Sequence, residues 1–582
     1  MWSKSSPIVS DVACRSTTIS LATVIAILST PVAAQQQPVS PVTVAPESLA
    51  PEQKSAAFRV DIPATSALKA PDGSENLAVT LGSVEVTGAF DEVANSTETV
   101  LSRLRGREVT LAQIYDAASE IEAAHARAGF VLARVSVPPQ ELVNGGALKL
   151  TITDGYIESV DVSAVAARVR EPVARRAEAL VNKPKLALRD IEEALSIAAE
   201  VPGLRLRSTL VRGSQPGAVK LVLEGEQQLL TGFVGVDNQL DPSLGRWGAN
   251  LQLVLNSPFG AGEQFYGFAS SDYGFRDYFS NTPRQRVLGG GAIVPIADGR
   301  FSLNPEVTFA TTTPDAPVGV LRTRGLLRRL TLRGQAVIDK SRSRDARLGL
   351  AVEQIDVRNE ALDFATRLNR DQYMAARLTG SLANTSPSGA RTGLTIQFST
   401  GLGDLGGIDR AESVRTGTPF SRVGASPNFT RLLVSGRSVV PLGGAQLALF
   451  GSAQTTFGDP VFRSEQFNLE GPEALSAFVG GRGAVDAGLV GRAEISVVSD
   501  ASGESGPSLT LSPYAFTAFG AGRLEAPTAV ERASIDAFNF GAGLRGTLAN
   551  RIDFAVEYAR SESRIPILDN VDRVSVTTTL RF

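Results

Sequence analysis

The chemistry open to this chain is narrow. It has one histidine, His125, and one cysteine, Cys14, in 582 residues. His125 stands in a stretch of helical spacing and reads as a solvated helix residue, so a histidine-dependent hydrolase has no base to work with. The sequence contains no G-x-S-x-G nucleophile elbow and no phosphate-binding P-loop lysine. Gly541-Ala-Gly543-Leu-Arg-Gly546 matches G-x-G-x-x-G, but it has no strand–helix–strand context and reads as strand glycines. Asp237, Asn238 and Asp241 offer calcium-type oxygens, yet no downstream glutamate completes a loop, and a turn accounts for them. No catalytic residue, metal ligand or cofactor is expected, and the chain is not read as an enzyme. The formal charge of −3 provides no basic stripe for nucleic acid.

The elements that would carry any site begin with a secretory signal peptide over 1–34. Lys4 and Arg15 precede a short apolar run near Ile19 to Leu28, and Val32-Ala33-Ala34 supplies small residues for cleavage after Ala34. Cys14 would leave with that peptide. Residues 35–75 are rich in Gln, Pro, Ser and Ala and read as a linker, with a weak helix signal near Pro51 to Ala57.

Residues 76–155 and 156–227 mix helical and strand periods. Thr110-Leu-Ala-Gln113 suits a capping box; Leu111, Ile114, Ala118, Ile121 and Ala124 then recur at helical spacing, and Gly129 can end the helix. Strands follow at Val131 to Val137 and Leu148 to Thr153. A second helix carries Leu188, Ile191, Leu195 and Ala198 on one face and stops at Pro202-Gly203, before strands at about 204–212 and 218–224. Two small βααββ-like units in tandem fit this segment.

Across 228–582 alternating segments of about ten residues replace helical spacing. Val574, Val576, Thr578, Leu580 and Phe582 share one face of the last segment; Ser575, Thr577, Thr579 and Arg581 share the other. Such alternation over so long a stretch suits a membrane barrel, with one face in lipid and one toward a polar lumen. The barrel must close, because an open edge in lipid leaves backbone groups unpaired. Sixteen candidate strands start near 229, 246, 262, 283, 300, 321, 346, 370, 391, 427, 445, 487, 508, 535, 551 and 571. Trp247, Tyr266 and Tyr558 suit interfacial anchors, and lumen or loop packing is equally open to them.

Several motifs resemble the two-partner secretion transporters of the haemolysin secretion/activation type. Ala128-Gly129-Phe130-Val131-Leu132, Val137-Pro138-Pro139-Gln140, Gly146-Ala147-Leu148 and Asp154-Gly155-Tyr156-Ile157 are similar to the first POTRA domain of that family. Gly245-Arg246-Trp247 and Asn256-Ser257-Pro258-Phe259-Gly260 resemble its early barrel. The family also folds a long loop into the barrel, with a pattern near F-x-L-G-G-x-x-S-V-R-G-F. Phe467, Leu469, Gly471 and Phe478 align with it, followed by Asp486 and Gly488. Leu475, Ser476 and Ala477 stand in place of V-R-G. The facing strand motif F-x-D-x-G is met by Phe516, Ala518 and Gly520, with alanine for the aspartate. Both members of the family's ion pair are absent, so that contact is not carried over.

The resemblance implies an α+β pair of periplasmic POTRA domains before a transmembrane antiparallel β-barrel of sixteen strands, located in the outer membrane. It implies secretion of an unfolded partner protein, haemolysin- or adhesin-like, without ATP. The client would bind at POTRA sheet edges and in the lumen. The barrel-assembly machinery, reading the terminal Phe582, and outer-membrane lipids are the other partners. Two rival readings are a barrel-assembly insertase, which usually carries more POTRA units, and a passive porin, which needs no arm.

Overall fold

The computed structural model describes residues 39–51, 60–61, 68–274, 278–403, 405–500, 508–529, 531–562 and 571–582. The expected signal peptide and its cleavage site lie outside them.

In the first α/β unit, strand Ser83–Thr87 runs parallel to Ala147–Thr153, which pairs antiparallel with Arg134–Ser136. Helices Ala94–Leu101 and Leu111–Arg127 bury Val100, Ile114, Ala118 and Ile121 against Val84, Leu148 and Ile152. Thr110 caps the longer helix: its hydroxyl accepts from the Gln113 N–H at 3.2 Å, and the Gln113 side chain accepts from the Thr110 N–H at 2.9 Å. His125 is not solvated. It follows Ile121 by one turn on the apolar stripe, is fully buried, and meets the Phe90 ring edge-on at 5.2 Å. Its Nδ1 lies 2.9 Å from the Ile121 carbonyl oxygen. Two of the motifs have local physical causes. The Gln140 side chain forms a surrogate rung, donating to the Lys149 carbonyl and accepting from the Lys149 N–H, both at 2.8 Å. A Cβ on Gly155 would stand 2.1 Å from the Leu132 carbonyl oxygen, so only glycine fits.

The second unit repeats the plan. Tyr156–Val165 runs parallel to Ala218–Gln227, whose other neighbour, Leu204–Arg212, is antiparallel. Helices Arg170–Glu178 and Leu188–Ala199 complete its core through Val173, Ile191 and Leu195. The outer edge of Leu204–Arg212 is not free: Val60–Asp61 pairs with it in parallel at Ser208 and Thr209. The two units meet where the Leu188 N–H donates to the Gly129 carbonyl at 2.8 Å and Lys185 pairs with Glu92 at 3.3 Å.

Sixteen antiparallel strands, from Leu230–Asp237 to Asp572–Arg581, close into a barrel, with Ser499–Asp500 continuing Ala487–Val497. They begin within four residues of the expected positions. The largest departure is Thr366–Thr385. With Arg344–Ala361 it forms a hairpin of 20- and 18-residue strands, longer than a bilayer crossing requires. Val574, Leu580 and Phe582 face outward and are exposed. The G-x-G-x-x-G run lies within strand Ser534–Leu548, where Gly541 and Gly543 leave room for the Phe516 and Tyr514 rings. Asp241 caps a turn, accepting from the Ser243 N–H at 2.9 Å. Trp247 and Tyr558 are exposed. Tyr266 instead turns inward, donating to Glu306 at 2.8 Å and accepting from Asn304 at 2.7 Å, so it is no interfacial anchor.

The second α/β unit seats against one rim of the barrel. Glu193 pairs with Arg300 at 2.7 Å, Arg189 with Asp339 at 3.3 Å, and Glu200 with both Lys340 and Arg347. Arg168 donates to the Pro258 carbonyl at 2.5 Å. We call this the proximal rim and the opposite one the distal rim.

Candidate functional site

Among the described residues, two segments enter the barrel lumen. The first is residues 39–51, part of the stretch read as a linker. It carries a helix at Pro41–Val44; the one expected near Pro51 to Ala57 lies, apart from Pro51, outside the described residues. The Val39 carbonyl accepts from Thr312 at 3.1 Å, and the Pro46 carbonyl accepts from Arg329. The Glu47 carbonyl accepts from Arg333 at 3.1 Å. The Leu49 N–H donates to Glu306, and the Leu49 carbonyl accepts from Gln252, both at 2.9 Å. The Leu49 side chain is buried with Val254 and Tyr266. Most of these contacts use backbone groups, which composition does not reveal; we refer to this segment as the strap.

The second is the long loop between strands Ala445–Thr455 and Ala487–Val497. At its entry Phe462 stacks on Tyr373, ring centroids 4.8 Å apart. Next, buried Glu465 pairs with Arg377 at 2.7 Å and Arg431 at 3.4 Å, and accepts from the Tyr373 hydroxyl at 2.7 Å. Arg377 also donates to Glu353 at 2.8 Å. Removing either sign from such a buried cluster strands the other, which makes it a strong positional constraint.

The loop core contains most of the aligned motif. Phe467 pairs with Val485 in a two-residue ladder. Leu469, Leu475, Phe478 and Val485 pack on Val490, Ala518, Ile535 and Ala537 of the wall. A Cβ on Gly520 would stand 2.9 Å from Leu475 Cδ1, so that glycine makes room for the loop. A Cβ on Gly488 would stand 2.8 Å from the Ala521 carbonyl oxygen. Gly471 has φ +140° and nothing near its missing Cβ, so it serves the turn rather than the packing. Asp486 is fully buried, pairs with Arg422, and accepts from the Glu525 N–H at 2.7 Å.

The structure brings Ser476 and the Phe516–Gly520 strand together, but the contact is not devoid of charge. Arg492, opposite Ala518 in the sheet, donates to the Ser476 hydroxyl at 3.2 Å. Its guanidinium lies 3.5 Å from the Phe516 ring centroid and pairs with Glu557 at 2.7 Å and Glu494 at 3.1 Å. The Asn539 amide, with its oxygen turned to the loop, accepts from the N–H groups of Ser476 and Ala477 at 3.0 Å. Arg492, Glu465, Arg377 and Arg422 went unread in the sequence. Arg492 and Glu494 alternate with the apolar Leu489, Gly491, Ala493 and Ile495, a pattern that marks them as inward-facing; nothing in the sequence indicates what they would meet.

Between strap, loop and wall lies a cavity of about 1520 Å³, lined by Arg329, Arg333, Arg377 and Arg431 and by Glu47, Glu353 and Glu470. Among the described residues no group of three or more His, Cys, Asp or Glu could hold a metal.

Comparison with known proteins places these features. The model of the POTRA domain, ShlB-type, matches residues 79–155. The model of the haemolysin secretion/activation protein ShlB/FhaC/HecB matches residues 217–546. The heme/hemopexin transporter protein HuxB of Haemophilus influenzae (strain 86-028NP) is 25% identical over 176 residues, covering 30% of each chain. The chain thus spans about a third of the length of the curated relatives it matches. Among solved structures, CdiB from Escherichia coli superposes with a TM-score of 0.68 at 18% identity, covering 94% of this chain and 95% of the other. CdiB from Acinetobacter baumannii gives 0.60 at 14% identity, covering 87% and 90%. At these identities the structures share the fold.

Proposed function

The chain belongs to the haemolysin secretion/activation protein family ShlB/FhaC/HecB, and from that premise we propose that it passes an unfolded partner protein across the outer membrane. The barrel lies in that membrane and the POTRA region in the periplasm. The carrying observation is a closed barrel whose lumen is entered by two segments of its own chain, strap and loop, with α/β units docked on one rim. A lumen occupied this way needs an event that clears it, and a client arriving from the periplasm supplies one. We assign residues 76–155 and 156–227 to two POTRA domains and 228–582 to the barrel. Their sheet edges would take an extended client through main-chain bonds, which tolerate varied sequence. At Ser208 and Thr209 a client would first have to displace Val60–Asp61. No nucleotide is needed if folding outside draws the client through. Partners of the haemolysin or adhesin kind fit this reading. So do the assembly machinery and outer-membrane lipids, which any barrel of this class meets.

The rival readings fare less well. A passive porin has no use for docked α/β units. An insertase that opens between its first and last strands needs a weak seam. Here the seam runs from Gly232 and Phe582 to Asn238 and Val576 and is the shortest ladder among the sixteen strands, so what weighs against an insertase is the pair of α/β units, fewer than such proteins usually carry.

The test is deletion of this chain in its host, with the culture medium and the outer membrane both analysed. Loss of one large secreted polypeptide, with other barrel proteins at normal levels, is expected. A general fall in outer-membrane barrels would favour the insertase; an unchanged medium would refute transport.

A further inference from the structure

The outward face of the barrel carries an uneven charge at its distal rim. In register across five strands, one row reads Arg286, Thr311, Leu326, Arg358 and Arg370. The next row toward the proximal rim reads Leu288, Phe309, Arg328, Asp356 and Gln372. The rows after that are largely apolar, with Val307, Leu330 and Met374, then Leu332 and Val352. Arginines therefore begin where the apolar belt ends. Arg324 and Arg367, one row beyond, make six arginines against two carboxylates, Asp356 and Glu360, in these rows of described residues.

Both carboxylates are already engaged. Asp356 holds Arg370 at 2.8 Å, and Glu360 holds Arg324 at 2.6 Å and Arg358 at 3.5 Å. Arg358 and Arg370 stand directly opposite each other, a like-charge cross-strand pair that is unfavourable alone. Arg328 is exposed and bonds to no other group among the described residues. Elsewhere on the rim Arg560 stands opposite Asp572, and Arg523 pairs with Glu525 at 2.8 Å.

We propose that Arg328, Arg358 and Arg370 form a site for the phosphorylated headgroup of an outer-leaflet glycolipid. Because the POTRA region is periplasmic, the distal rim stands at the outer leaflet. The face points away from the lumen, so a client in transit does not reach it. Guanidinium forks match phosphate oxygens, and a headgroup bound there leaves its acyl chains against Phe309, Leu330 and Leu332. A ligand with phosphate above and acyl chains below fits this border; a soluble anion would use only its upper half.

The test uses the full chain purified in detergent, with bound lipid counted by native mass spectrometry. The probes are bisphosphorylated lipid A, the same lipid dephosphorylated, and inorganic phosphate. Wild type should bind the phosphorylated lipid at least roughly fivefold better than the dephosphorylated one. Arg328→Gln with Arg358→Gln should abolish that preference, and Arg560→Gln should keep it. Equal binding of the two lipids by wild type would overturn the proposal, as would an unchanged preference in the double variant. Displacement of lipid A by millimolar inorganic phosphate would show a free-anion site and also overturn it. If the double variant fails the heat-modifiability check for a folded barrel, the two-lipid comparison on wild type decides alone.

Discussion

Arg492 lies directly across the sheet from Ala518 and gives its guanidinium to the hydroxyl of Ser476. The cation at the loop tip thus comes from the barrel wall, and its carboxylates, Glu557 and Glu494, are wall residues too. The loop contributes a hydroxyl and backbone groups. The tip can therefore leave without separating a buried ion pair, a step that costs several kcal/mol; the entry cannot, because Glu465 pairs there with Arg377 and Arg431.

Ser476→Ala should be nearly silent, losing one hydrogen bond worth under about 1.5 kcal/mol. Arg492→Ala should cost about 2–4 kcal/mol, because it leaves buried Glu557 without a cation, while Glu494 keeps Arg545 at 2.5 Å. Ser476→Arg should impair secretion by setting two guanidinium groups side by side; adding Ala518→Asp or Arg492→Ser should restore part of it. The measurement is client in the medium normalised to folded barrel, and a double variant no better than Ser476→Arg would contradict this geometry.

Glu465→Gln removes the one carboxylate of the loop that faces both Arg377 and Arg431. The loop should loosen at its entry while the wall stays closed, since Arg377 keeps Glu353. In planar bilayers the variant should show more frequent and larger conductance steps than wild type. Identical traces would mean that the stacked Phe462 and the rest of the loop core hold it without the ion pairs.

Leu49→Asp sets a carboxylate beside Glu306 in the pocket of Val254 and Tyr266. Burying that charge without a partner costs several kcal/mol, more than a short strap can supply. The strap should release, and basal conductance should rise with barrel yield unchanged. Leu49→Met, of similar volume, should resemble wild type.

Phe582 closes the seam: its N–H donates to the Gly232 carbonyl at 3.1 Å, and its carbonyl accepts from the Gly232 N–H at 3.0 Å. Its ring also covers Gly232, where a Cβ would come within 3.0 Å. Deleting Phe582 should lower the amount of heat-modifiable barrel several-fold, with secretion per folded barrel unchanged. Normal barrel levels would show that the seam holds without it.

The barrel was legible because its strands obey one rule of period 2 over a long stretch, and the rule sets where each starts. The helix Leu111–Arg127 was legible from its capping box and apolar stripe; His125, polar but in phase with that stripe, is buried rather than solvated. The loop motif could be aligned, and Gly520 and Leu475 do meet. The contacts that hold it were hidden for a physical reason. Arg377 and Glu465 are 88 residues apart, and Arg492 and Glu557 are 65 apart. Period shows which side of a strand a charge faces, but only barrel closure brings distant strands and the loop together. The strap was hidden differently, because it binds through carbonyl and N–H groups that every residue has.

The strap and the edge strand Val60–Asp61 belong to one stretch of chain. Nine residue steps separate Pro51 from Val60, a reach of at most roughly 30 Å. That reach bounds how far the strap can travel while Val60–Asp61 stays paired at Ser208 and Thr209. On the proposed function, a client strand that displaces Val60–Asp61 removes the bound, and Leu49 can then leave its pocket for any distance the chain allows. The edge pairing thus acts as an anchor point that sets the radius of the strap.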